Sequence, residues 1–130
     1  MMAPDWLNAI VRDFGRAAGA DTLALNDRGA AALNFETGAT LRFEYTGSDL
    51  VVAVAVTVPR HADPAGLRRV LAFAHPRAGG PGLRIRAGYL AASGRALLAV
   101  RIPERGVTLP ALNAAFAALW RAAGEIGGAA

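Results

Sequence analysis

The sequence contains no cysteine. It therefore cannot form a disulfide, present a thiol nucleophile or bind a metal through thiolates. It also contains no lysine, because all 14 basic residues are arginines, so it lacks the lysine of a Walker phosphate-binding loop or of a Schiff base. Long hydrophobic runs are missing as well. The longest, Leu50–Val56, is far shorter than the about 20 residues that a membrane-spanning helix needs.

Targeting signals are equally scarce. The N-terminus carries Asp5 and Asp13 and lacks the basic flank and apolar run of a signal peptide. We therefore expect no membrane span and a cytoplasmic location. With 130 residues, of which 54% are hydrophobic, residues 1–130 are expected to form a single domain with its own core.

Residues that could catalyse a reaction are few and scattered. His61 and His75 lie at opposite ends of a predicted helix, and Ser48 and Ser93 lie in turns without the G-x-S-x-G pattern of a serine nucleophile. No acidic pair or His-rich cluster has the spacing of a metal or acid–base site. The sequence therefore predicts no catalytic residue, no metal site, no cofactor and no enzyme activity.

Apolar residues at intervals of three and four predict three helices. The first, Asp5–Ala18, places Trp6, Leu7, Ile10, Val11 and Phe14 on one face, with Asp5 as its N-cap and Gly19 beyond its end. The second is Pro64–Ala74, preceded by Asp63 as N-cap. The third begins after Thr108 and carries an apolar face that includes Phe116 and Trp120.

Alternating apolar and polar residues predict about five or six strands between the helices. They are Thr22–Leu25, Ala31–Glu36, Leu41–Tyr45, Leu50–Val58, Leu83–Tyr89 and Ala96–Ile102, of which the last two read as a hairpin. The order helix, strands, helix, hairpin, helix is typical of an α+β fold with a mainly antiparallel twisted sheet.

The strand Leu50–Val58 is apolar on both faces. Its even-numbered members can face the helices, but Val51, Ala53 and Ala55 then form an apolar strip on the opposite face. A second copy of the chain would cover that strip, and a two-fold interface is the commonest way to do so. A monomer with a valine-rich strand remains the alternative.

A basic stripe offers a second kind of surface. Arg84 and Arg86 share one sheet face, and Arg95 and Arg101 lie in or near the neighbouring strand. The stripe is interpreted as a solvated face or as a contact surface for a protein or nucleic acid. Aromatic residues that would stack on bases are sparse there, so nucleic acid is not the expected partner. A non-enzymatic small-molecule or nucleic-acid binding module on this face stays the alternative function.

Two stretches carry a family resemblance over Trp6–Ile126. They are LNAIVRDFGRAAGADTLALNDRGAAALNFETG, residues 7–38, and TLPALNAAFAALWRAAGEI, residues 108–126. In this order of elements the chain resembles class I type III secretion chaperones, the Tir chaperone family. The resemblance implies a cytoplasmic homodimer that binds an extended N-terminal segment of an effector, keeps it secretion-competent and hands it to the secretion apparatus, whose ATPase is a candidate partner.

The resemblance also implies site residues by position. The dimer interface would use Val51, Ala53, Ala55, Leu67, Val70 and Leu71. The effector would lie across the first helix and the sheet and could add a strand to a sheet edge. Its expected contacts are Val11, Leu33, Phe35, Leu41 and Phe43.

Overall fold

The computed structural model describes residues 1–57, 84–90 and 94–127. Helices and strands in these ranges follow the predicted order. They are α1 (Asp5–Ala17), β1 (Ala30–Asn34), β2 (Thr40–Tyr45), β3 (Asp49–Thr57), β4 (Ile85–Leu90), β5 (Arg95–Pro103) and α2 (Leu109–Gly127), with a 3-10 turn at Glu104–Gly106. The predicted helix Pro64–Ala74 lies outside the described residues.

The five strands form one antiparallel sheet in the order β1-β2-β3-β5-β4. This confirms the predicted α+β class, the mainly antiparallel sheet and the β4–β5 hairpin. Strand β3 lies at the centre, which agrees with its apolar residues on both faces. Strands β1 and β4 are the two edges, and each has one side without a neighbouring strand in the described sheet.

The core lies between the helices and one face of the sheet, which we call the inner face. The even-numbered residues of β3, from Leu50 to Val56, are buried on it as predicted, and α2 packs against β3 and β5. On α2, Leu112 and Leu119 are fully buried. The helix begins after Thr108, whose Oγ1 accepts a hydrogen bond from the Ala111 N–H at 3.1 Å and confirms the predicted N-cap.

The start of α1 differs from the prediction. Asp5 is the first helical residue, Pro4 precedes it, and no side chain caps the helix. The Asp5 carboxylate lies in the first turn, where it interacts favourably with the helix dipole. Trp6 was expected on the buried face but is 46% exposed, because it lies beside the stripe formed by Leu7, Val11 and Phe14 rather than within it.

The predicted strand Thr22–Leu25 is not a strand. Leu23 and Leu25 are buried, but this segment packs against α1 and pairs with no strand of the sheet. The side chain of Asn8 takes the place of a strand partner, since its Oδ1 accepts a hydrogen bond from the Leu25 N–H at 2.9 Å. The short apolar alternation therefore reflected burial of two leucines and not sheet pairing.

Candidate functional site

Strand β1 presents an open hydrogen-bonding edge. The Tyr45 N–H donates to the Gly29 carbonyl at 2.8 Å, and the Phe35 N–H donates to the Ala39 carbonyl at 2.9 Å. Hydrogen-bonded residues alternate along an antiparallel pair, so Ala31 and Leu33 direct their backbone groups towards β2. The N–H and C=O groups of the intervening residues, Ala32 and Asn34, point away from the sheet. No described residue pairs with them.

Three half-buried aromatic side chains lie beside this edge. The ring of Phe35, next to the end of β1, lies 4.9 Å from the ring of Trp120 and stacks on Phe116 at 6.1 Å between ring centroids. Phe116 and Trp120 are neighbours on α2, four residues apart, with centroids 5.5 Å apart. We call Phe35, Phe116 and Trp120 the aromatic shelf.

The aromatic shelf rests on a fully packed layer. The buried ring of Phe14 contacts both Phe116 and Phe43 edge-to-face, each at 5.7 Å. Leu33 is half-buried and lies on the same face of β1 as Phe35. An apolar surface that packs on the core therefore adjoins unpaired backbone groups. This combination suits an extended peptide, whose backbone would pair with β1 while alternate side chains reach the shelf.

The structure separates the predicted effector contacts into two groups. Leu33 and Phe35 are half-buried at this surface. Val11, Leu41 and Phe43 are at most 1% exposed and fill the core, so the structure offers no surface of theirs for a contact. These three residues pack the core instead of contacting a client. The inner-face residues of β2 are covered by the helices, and Val11 of α1 is covered by the sheet.

Phe116 and Trp120 are the surface residues that the sequence reasoning missed. Their helical spacing had placed them with the core, and both do pack against it. The sequence does carry a signal for them: the apolar face of α2 is wider than the stripe of fully buried residues. Residues at the margin of such a face remain partly open to solvent.

The opposite face of the sheet, which we call the outer face, carries the predicted apolar strip. Val51 and Ala55 are half-buried, and Ala53 is 6% exposed. In the register of β3 with β5, Ala53 lies beside Ala99 and Ala55 beside Leu97, so the strip is two strands wide. The other predicted interface residues, Leu67, Val70 and Leu71, lie outside the described residues.

The basic stripe is not a single anion site. Arg101 forms an ion pair with Asp49, 2.9 Å between Nη1 and Oδ2. The Arg95 guanidinium donates to the carbonyls of Gly38 and Ala55 at 3.2 and 3.1 Å. Two of the four arginines therefore support the sheet itself, while Arg84 and Arg86 remain exposed. This distribution weakens the nucleic-acid interpretation.

Other chemistry is sparse in the described ranges. They contain no group of three metal-ligating side chains, and His61 and His75 lie outside them. The Tyr45 hydroxyl donates a hydrogen bond to Glu104. That bond and then burial raise the pKa of Tyr45. Neither α1 nor α2 has the length and apolar character required to cross a bilayer.

Comparison with known proteins gives a family match over almost the whole chain. Residues 6–127 match the family described as "Type III secretory system chaperone SycN". No curated protein matches the sequence.

Solved structures share the fold. A chain of the ExsC-ExsE complex superposes with a TM-score of 0.73 at 21% identity, covering 95% of this chain and 92% of that one. A chain of the ExoU-SpcU complex from Pseudomonas aeruginosa gives a TM-score of 0.65 at 17% identity, covering 94% and 95%. The HopA1-SchA chaperone-effector complex gives 0.64 at 18% identity, covering 92% and 94%.

Proposed function

Because this chain belongs to the family of type III secretory system chaperones, we propose that it binds an extended N-terminal segment of an effector along the β1 edge and the aromatic shelf. The bound segment is kept soluble and unfolded until it reaches the secretion apparatus. The secretion ATPase is the proposed receiver of the complex, and the chaperone works in the cytoplasm. It acts by binding alone, without catalysis or a cofactor.

The observation that carries this proposal is the adjacency of two features. The outward N–H and C=O groups of Ala32 and Asn34 can bond any extended backbone, whatever its sequence. The aromatic shelf beside them can bury apolar side chains of that same segment. An unfolded client loses conformational entropy on binding, so backbone pairing and apolar burial must act together to hold it.

We further propose that two copies pair through the outer face. Its apolar strip, Val51, Ala53 and Ala55 with Leu97 and Ala99, runs through the centre of the sheet, where a two-fold contact can form. Leu67, Val70 and Leu71 are proposed to join this interface. The aromatic shelf would remain accessible because it lies on the inner face, and the β1 edge would remain accessible because it lies two strands away from the apolar strip of β3.

Co-expression tests the client site. The chaperone is expressed with the N-terminal region of each effector candidate from the same genome, and the soluble yield and a stoichiometric complex are measured. We expect one client to become soluble with the wild-type chaperone. Phe35→Asp should abolish that gain, because burying a carboxylate against apolar client side chains costs its hydration. Ala114→Asp is the matched control, since it adds the same charge on the exposed face of α2.

The result that would contradict the client site is an equal loss, or no loss, in the two variants. Equilibrium ultracentrifugation tests pairing separately. The proposal expects a dimer at micromolar concentration, and Val51→Asp should shift it to monomer by placing a charge on the apolar strip. A monomeric wild-type chain would refute the homodimer and leave the client site standing.

A further inference from the structure

The β1 edge is closed at its start by Asn26. The Asn26 N–H donates to the Ala30 carbonyl at 2.9 Å, and the Asn26 Oδ1 accepts a hydrogen bond from the Ala30 N–H at 3.0 Å. The same oxygen also accepts from the Arg28 N–H at 2.9 Å, which holds the side chain in place. Both outward backbone groups of Ala30 are therefore occupied within the chain. A strand added to this edge can pair with Ala32 and Asn34 but not with Ala30.

A small notch on the outer face adjoins this boundary. Its volume is about 290 Å³, and its walls include Asn26, Ala30, Ala32, Arg42 and Glu44. In the register of β1 with β2, Arg42 lies beside Ala32 and Glu44 beside Ala30. The two alanine methyl groups are too small to screen these charges from a strand placed outside β1, about 10 Å from β2 at the usual strand spacing.

The closed position decides which charge an added strand meets. Because Asn26 blocks pairing at Ala30, the outer-face residues of the strand lie beside Ala32 and Asn34, and the one beside Ala32 faces the Arg42 cation. Glu44 is displaced beyond the end of the pairing. In the added strand, the residues before and after the one beside Ala32 point to the inner face, towards Leu33 and the apolar side of β1. The fitting segment is thus apolar, acidic, apolar.

We propose that Asn26 and Arg42 are specificity-determining residues for the bound segment. Asn26 sets where pairing stops, and Arg42 selects an acidic side chain at the position beside Ala32. This inference rests on the proposed function and adds the register and chemistry of the client strand. The proposed partner of this chain is an extended peptide that carries an acidic residue between two apolar ones.

A random 12-residue peptide library displayed on phage provides the probe. Panning on the wild-type protein should enrich the apolar–acidic–apolar pattern. A fluorescent copy of the strongest peptide is then compared with a copy whose acidic residue is replaced by lysine. Arg42→Glu should weaken the acidic peptide about tenfold and strengthen the lysine peptide, since attraction becomes repulsion. Arg12→Glu, which changes the same charge on the exposed side of α1, should alter neither.

The stop at Ala30 has its own test. Asn26→Ala frees the Ala30 N–H, while the Ala30 carbonyl keeps its bond to the backbone N–H of residue 26. Asn26→Asp retains an oxygen acceptor for the Ala30 and Arg28 N–H groups. Peptides lengthened by two residues at the end that reaches Ala30 should gain about two- to tenfold in affinity for Asn26→Ala through one added hydrogen bond, to the Ala30 N–H. They should gain nothing for the wild type or Asn26→Asp. Thermal melting of each variant checks that the fold is retained.

The outcomes separate the inference from the proposed function. Equal responses of both peptides to Arg42→Glu and Arg12→Glu would overturn charge selection by Arg42. An affinity gain from lengthening with wild-type protein would overturn the stop at Asn26. In both cases a binding edge would still exist. Failure of the wild-type protein to enrich any peptide would instead overturn recognition of extended segments, and the inference with it.

Discussion

The sharpest test of the β1 edge is Ala32→Pro. The Ala32 N–H points away from β2, so proline at this position removes no hydrogen bond of the β1–β2 pair, and an edge strand tolerates it. A bound segment would lose one backbone donor, worth about 0.5–1.5 kcal/mol, or about two- to tenfold in affinity. The proline ring also obstructs close approach, so the loss should lie at the upper end of this range or beyond.

The matched control is Ala87→Pro on the other edge. By the same alternation of hydrogen bonds through the sheet, the Ala87 N–H points away from β5. Titration calorimetry with a captured client or an enriched peptide should show weaker binding for Ala32→Pro and unchanged binding for Ala87→Pro. Equal affinities, with both variants folded by circular dichroism, would refute backbone pairing at β1. The reverse pattern would move the client to β4.

Three further predictions concern the packing that supports this surface. Gly15→Ala should lower the free energy of unfolding by about 1–3 kcal/mol in denaturant titrations, because the new methyl would lie 2.7 Å from the Leu23 Cβ. An unchanged free energy of unfolding would show that the segment after α1 can move to accommodate the methyl group. Asn8→Ala should cost about 1–3 kcal/mol in the same assay by leaving the Leu25 N–H without its acceptor, whereas Asn8→Asp should retain most of the stability. Because the pKa of Tyr45 is raised in the folded state, its contribution to the free energy of unfolding should be full below about pH 10 and be lost as the pH rises through the folded-state pKa. Tyr45→Phe should make the free energy of unfolding fall less steeply at alkaline pH. Parallel pH curves for the wild type and the variant would contradict this assignment.

Local patterns predicted much of the fold. Helical spacing located α1 and α2, and the alternation in Leu41–Tyr45 and in β3 correctly assigned residues to the inner face. The glycine predicted beyond the end of α1 is also confirmed, since Gly19 has a φ of +82°. These features depend on neighbours along the chain, so each can be read from a short window.

The candidate site was predicted only in part. Leu33 and Phe35 are half-buried beside the β1 edge, and their contact with a client stays a prediction, whereas Val11, Leu41 and Phe43 lie in the core. Periodicity assigns a residue to a face and cannot tell whether another layer covers that face. Burial of these side chains depends on α1 and α2 packing over the middle of the sheet.

By itself, the sequence determined the class of the fold, the apolar character of both faces of β3 and the absence of thiol and lysine chemistry. Only the tertiary structure decided that β1 is an edge, that Phe35 meets Phe116 and Trp120, and that Asn26 closes the edge at Ala30. The physical reason is that secondary structure follows from contacts a few residues apart. Strand order and the exposure of an edge arise from pairings between distant segments, which compete at similar energies and leave no local periodic signal.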